Sequence, residues 1–130
     1  MFSSIVVGNA TQTLGLETKG WVVGHMQHGP AYTPHFEIKI WHYDSQPNYG
    51  WKRFMGTEFI IVEGGMLTVE LEIEDGDDVP AGKKFELKGS TREYIIISPP
   101  NCKKRVLVTE APAYGVTVRW PSAPGMNVEC

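Results

Sequence analysis

The sequence predicts an all-β protein of one domain, and three observations carry that prediction. Apolar residues recur at every second position, most clearly where Leu67, Val69, Leu71 and Ile73 alternate with Thr68, Glu70 and Glu72. A period of two is that of a strand with one buried and one wet face. No window sustains the i, i+3, i+4, i+7 spacing of an amphipathic helix. Fourteen glycines and nine prolines punctuate the 130 residues, which keeps the apolar runs short. Short strands at hairpin spacing describe a sandwich or a barrel.

Residues 1–18 read as an extended N-terminal arm, with a small apolar patch at Ile5, Val6 and Val7. The barrel occupies 19–122, and 123–130 form a C-terminal tail without a period. Trp21 to Met26 is the first strand, and the Gly29-Pro30 turn follows it. Phe36 to Trp41 alternates, placing Phe36, Ile38 and Ile40 together on one face. Pro47, Asn48 and Gly50 mark a loop. Glu58 to Val62 and Met66 to Ile73 are expected to form a hairpin around Gly64-Gly65. Asp75 to Gly82 is an acidic loop, and its Asp75, Asp77 and Asp78 lack the later Glu that a calcium loop requires. Lys83 to Leu87, Tyr94 to Ile97, Arg105 to Thr109 and Gly115 to Trp120 supply four more strands, with Ser98 to Asn101 breaking the chain between two of them.

Composition narrows the function classes. Twelve basic residues against fifteen acidic ones give a net charge of −3, which offers no electrostatic case for nucleic acid or an anionic membrane as partner. No segment approaches the ~20 apolar residues that span a bilayer, and Met1 to Gly15 has no secretory pattern. Cys102 and Cys130 fit neither zinc spacing nor a disulfide framework. The expectation is a cytoplasmic protein with reduced thiols.

The stretch from Gly56 to Leu71 carries the most specific signal. Glu58 and Gly65 have six residues between them, including an apolar run, and Arg92 to Lys104 holds a Pro-Pro-Asn step before its lysines. These segments resemble the two motifs of the cupin superfamily, over roughly residues 20 to 120. The resemblance implies a single-domain cupin-like jelly-roll β-barrel. In that family two histidines and a glutamate on one strand pair, with a third histidine from a later strand, hold a divalent metal. Here the first two histidine positions fall on Lys52 and Phe54, or on Trp51 and Arg53, and the third falls on Lys103 or Lys104. All three motif histidines are absent. The flanks Gly20 to His25 and Val118 to Ser122 are similar to those of short cupin-like proteins without a settled activity.

The resemblance therefore implies a cavity without its usual metal. Glu58 is either a functional carboxylate there or a group retained for an ion pair with Lys52, Arg53, Lys103 or Lys104, since a carboxylate inside a barrel is costly unless paired. The expected function is binding of a small anionic or polar-aromatic molecule, with Lys52, Arg53, Lys104, Arg119, Trp41 and Trp51 as ligand-binding candidates. No cofactor is expected, and homodimerisation through an edge strand or the N-terminal arm is. An alternative is an isomerase, lyase or cyclase using Glu58, His42 or Lys103 in acid–base chemistry, or a cavity lysine as a Schiff-base nucleophile. A further alternative displaces the metal onto His25 or His28 with His42 and Glu58; the fourth histidine, His35, lies in the same short stretch.

Overall fold

Two strands organise the rest. The run from Thr57 is rich in β-branched and aromatic residues, as is the run ending at Trp120, and such residues favour the pleated conformation. In a computed structural model, which describes residues 5–10, 12, 20–47, 50–73, 83–98 and 102–129, these runs become β4 (Thr57–Ile73) and β7 (Cys102–Trp120). They pair antiparallel from Thr57 with Trp120 to Ile73 with Cys102. The other strands are β1 (Trp21–Val23), β2 (Glu37–Tyr43), β3 (Lys52–Phe54), β5 (Lys83–Lys88), β6 (Tyr94–Ile97) and β8 (Asn127–Glu129). At one end of the β4–β7 spine, β6 flanks β4, while β2 and then β1 flank β7. At the other end, β5 flanks β4, while β3 and then β8 flank β7. Among the described residues the result is one curled eight-stranded sheet, a jelly-roll half-barrel with two sides continuous through its spine.

The expected hairpin at Gly64-Gly65 is instead a bulge inside β4. The register with β7 shifts between Val62 and Gly64, between Gly64 and Met66, and again at Leu67, and pairing resumes on the same partner strand. Gly65 adopts φ +69°, and a Cβ there would lie 2.7 Å from the Ala113 Cα. Only glycine meets both demands. The bulge bends β4 and lets one strand serve both sides of the barrel. Arg105–Thr109 and Gly115–Trp120 are likewise two halves of β7. The first strand is shorter than expected, ending at Val23, and the 123–130 segment contributes β8, paired with β3. The Asp75 to Gly82 loop and residues 1–4, 11 and 13–19 of the arm lie outside the described residues.

The core is built from both halves of β4. Ile60, Val62, Leu67, Val69 and Leu71 are buried, with Trp41, Leu87 and Ala113 packed against them. Each large aliphatic group so buried contributes about 1.5–3 kcal/mol. The β2 face is the reverse of the expectation. Glu37, Lys39 and Trp41 turn inward, whereas Phe36 is exposed and Ile38 and Ile40 are only half-buried on the outer side. Cross-strand register extends this outer face into two apolar rows, Ile38–Val118–Phe59–Ile96 and Ile40–Val116–Ile61–Tyr94. Nor is the second face of β4 wet: Thr68 and Glu70 are buried. Arg105 covers Glu70, donating from Nη2 at 2.6 Å, and Lys84 lies 3.4 Å from its other oxygen.

Candidate functional site

The inverted face of β2 places charge inside the barrel. Register sets Arg119 directly between Glu37 on β2 and Glu58 on β4, a cross-strand row of alternating sign. One pair along, Lys39 faces Thr117, which in turn faces Ile60. Lys104 comes from the other half of β7, and the curl of the sheet carries it to the same carboxylate. There Lys104 Nζ donates to Glu58 Oε1 and Arg119 Nε donates to Oε2. Lys52 of β3 lies opposite Lys104.

These groups surround a cavity of about 380 Å³ whose lining includes Lys39, Lys52, Lys104 and Arg119. Trp21, Trp41 and Tyr43 line it as well, the last two stacked with centroids 5.4 Å apart. Gly115 makes room for this wall, because a Cβ there would lie 2.6 Å from the Trp41 indole. The Arg119 guanidinium is held between Trp21 and Phe54, 4.8 and 4.9 Å from their ring centres.

Charge and burial compete throughout this cluster. Burial raises the Glu58 pKa, but Lys104 and Arg119 together outweigh it and hold the carboxyl at about 2. Burial lowers the Lys104 pKa, against the pull of Glu58. Lys39 is brought down to about 8, by burial first and then by repulsion from Arg119, Lys104 and Lys52. Beside the cavity runs a second polar chain. Ser122 Oγ donates to Glu37 Oε1 at 2.9 Å and accepts the His25 backbone N–H at 2.9 Å, while His25 Nδ1 lies 2.7 Å from the same oxygen. With its proton directed to a carboxylate that can only accept, Ser122 is a bracing group for Glu37 rather than a nucleophile.

Of the candidates read from the sequence, Glu58, Lys52, Trp41, Lys104 and Arg119 converge here. His42 lies on the outer face, exposed, stacked on Tyr114 at 5.7 Å and bonded to Asp44 at 3.0 Å. Lys103 sits opposite Glu72 on the outward side of β7, because Lys104 beside it points in. Arg53 alternates with the inward Lys52 and pairs in register with Val128. Trp51 lies against the Arg105 guanidinium, 4.9 Å from its ring centre, outside the described cavity lining. Lys39, Glu37, Tyr43 and Ser122 were not singled out. A signal existed for three of them, since Glu37, Lys39 and Tyr43 share the period-two face of Trp41.

A divalent metal, which the cupin motif implies, does not fit this donor set. Around Glu58 stand an ammonium and a guanidinium, which donate hydrogen bonds and offer no lone pair. The displaced histidine alternative is not assembled either. His28 is exposed, His42 faces away, and no group of three or more His, Cys, Asp or Glu able to hold a metal occurs among the described residues.

No protein-family model matches the chain, and no curated protein matches it by sequence. Solved structures do match. A cupin superfamily protein of Desulfitobacterium hafniense DCB-2 superposes with a TM-score of 0.51 at 7% identity, over 68% of this chain and 69% of its own. A hydroquinone 1,2-dioxygenase from Sphingomonas sp. TTNP3, with 4-hydroxybenzoate bound, gives 0.54 at 10% identity over 97% and 85%. A structure from a study of DMSP lyases gives 0.54 at 17% identity over 79% of this chain and 46% of its own. At these identities the likeness is one of fold: the chain is a cupin-like jelly roll.

Proposed function

We propose that this barrel is a metal-independent receptor for a small organic acid. The observation that carries the reading is the convergence of Lys39, Lys52, Lys104 and Arg119 on one cavity with aromatic walls. Glu58 is already engaged by Lys104 and Arg119, so it does not cancel the field of the whole cluster. Burial is the first cause of the lowered Lys39 pKa, and repulsion from Arg119, Lys104 and Lys52 is the second, so that field contributes to the shift. An anion entering the cavity offsets that repulsion, and the volume suits a small molecule. Trp21, Trp41 and Tyr43 favour a flat or apolar body behind the acid group.

Glu58 serves as the counter-ion that holds Lys104 and Arg119 in place. A carboxylate whose pKa is about 2 is a weak proton acceptor at neutral pH, which argues against acid–base catalysis through it. A thermal-shift screen tests the proposal. Benzoate, lactate and inorganic phosphate are compared with neutral benzamide, and elemental analysis is made on protein purified without a metal-affinity tag. We expect one or more of the organic acids to raise the melting temperature, benzamide to leave it unchanged, and no stoichiometric metal. Stabilisation by zinc, iron or manganese with no response to any acid would overturn it.

A further inference from the structure

We infer that Thr117 is a specificity-determining residue of the cavity, and that the molecule taken there is a hydroxylated aromatic acid, held by its acid group and hydrogen-bonded through its hydroxyl to Thr117 Oγ1. The inference rests on the organic-acid reading above and narrows it to a chemical class.

Strand register divides this side of the cavity into layers. The outermost is the row Glu37–Arg119–Glu58, to which Lys104 is joined through Glu58. In the next inward row, toward the bulge, Thr117 stands between Lys39 and Ile60. Beyond it the rows are apolar: Trp41 faces Gly115, which faces Val62, and Tyr43 faces Ala113. Successive rows lie about 7 Å apart along a strand. Charge thus gathers at one end, an aromatic wall stands at the other, and Thr117 marks the junction. An acid with a flat body satisfies both ends by turning its acid group to Arg119 and Lys104 and its body to Trp41. In that pose the body passes Thr117.

Thr117 is 7% exposed and lines the cavity, yet its hydroxyl has no hydrogen-bond partner among the described residues. The other polar or charged residues buried as deeply are all engaged: Glu37 with Ser122, Glu58 with Lys104 and Arg119, Thr68 with Thr109, and Glu70 with Arg105. A buried hydroxyl is costly unless it is bonded. Valine is as well suited to a strand and carries no such cost, so neither burial nor propensity asks for threonine here. The surrounding groups say what the hydroxyl is for. Lys104 and Arg119 are donors only, and both oxygens of Glu58 are taken up by them. An acid group therefore finds donors, whereas a hydroxyl on the ligand needs an acceptor. Thr117 Oγ1 supplies it.

Calorimetric titration tests this with benzoate, the three monohydroxybenzoates and the matching methylbenzoates, which keep the size and remove the hydroxyl. We expect one hydroxybenzoate to bind roughly 3- to 10-fold more tightly than benzoate and than its methyl counterpart, the worth of one neutral hydrogen bond. Thr117→Val should abolish that preference, and Thr117→Ser, which keeps the hydroxyl, should retain it. A crystal structure of the unmodified chain with the preferred isomer decides the point even if the valine variant fails to fold: the ligand hydroxyl should lie about 2.8 Å from Thr117 Oγ1. Benzoate binding with no preference for any hydroxyl would overturn the role of Thr117 and leave the organic-acid reading standing. So would a preference that survives in Thr117→Val or is lost in Thr117→Ser, or a ligand hydroxyl bonded elsewhere. If none of these acids binds, the reading beneath it fails as well.

Discussion

Glu58 is buried, yet two cations keep it ionised far below its ordinary range. A carboxyl whose folded pKa lies below its unfolded value contributes stability that is present above the unfolded value and lost as pH falls through the folded one. The fall from 4.5 to about 2 corresponds to about 3 kcal/mol, lost progressively between those pH values. Equilibrium denaturation from pH 6 to pH 2 checks this, and Glu58→Gln should flatten that part of the profile. The same variant leaves Lys104 and Arg119 buried side by side, and we expect it to cost about 3–5 kcal/mol at pH 7. Lys39 contributes oppositely at neutral pH, although stability rises with pH through its window as it does for Glu58. Burying its charge lowers stability at neutral pH, and that cost is relieved as pH rises from about 8 toward 10.5. Glu58 was legible in the sequence because motif spacing fixes it locally, and the same spacing narrowed its cations to Lys52 or Arg53 and to Lys103 or Lys104 without choosing between them. Lys39 was not legible, because its role depends on which way β2 faces, and that is set by pairing with a strand far along the chain.

The bulge is the decisive element. A Gly-Gly pair within an alternating run marks either a turn or a bulge, and the residues on each side are the same in both cases. What separates them is that one partner, β7, lies opposite both halves of β4, a long-range fact that local turn chemistry does not contain. Gly65→Ala should therefore act on the barrel as a whole. A side chain at φ +69° costs about 1–2 kcal/mol by itself, and the contact with Ala113 adds to it. We expect a loss of at least about 2 kcal/mol by urea denaturation. The turn of β2 makes the converse prediction. His42 shares its strand with Lys39 and Trp41 but faces outward, so His42→Ala should leave acid binding unchanged while Lys52→Met weakens it about tenfold, the loss of one charged hydrogen bond.

Across the whole molecule, polarity is arranged against the usual rule. Charge lines the cavity, and much of the aliphatic surface of β2, β4, β6 and β7 lies on the outer side. Fold class was legible because alternation, turns and the Glu58 to Gly65 spacing all survive this inversion. The strand faces were not, because assigning the apolar side inward reverses β2 and exchanges every side chain upon it. Relatedness in shape at 7–17% identity carries the frame and leaves the chemistry to the residues. Those residues argue for an acid. The most direct measurement is calorimetric titration of the purified chain with benzoate, alongside benzamide, at low and high salt. We expect one-site binding of benzoate that weakens at high salt and no binding of the amide. Equal binding of both, or none of benzoate under either condition, would contradict a cavity built to receive a negative charge.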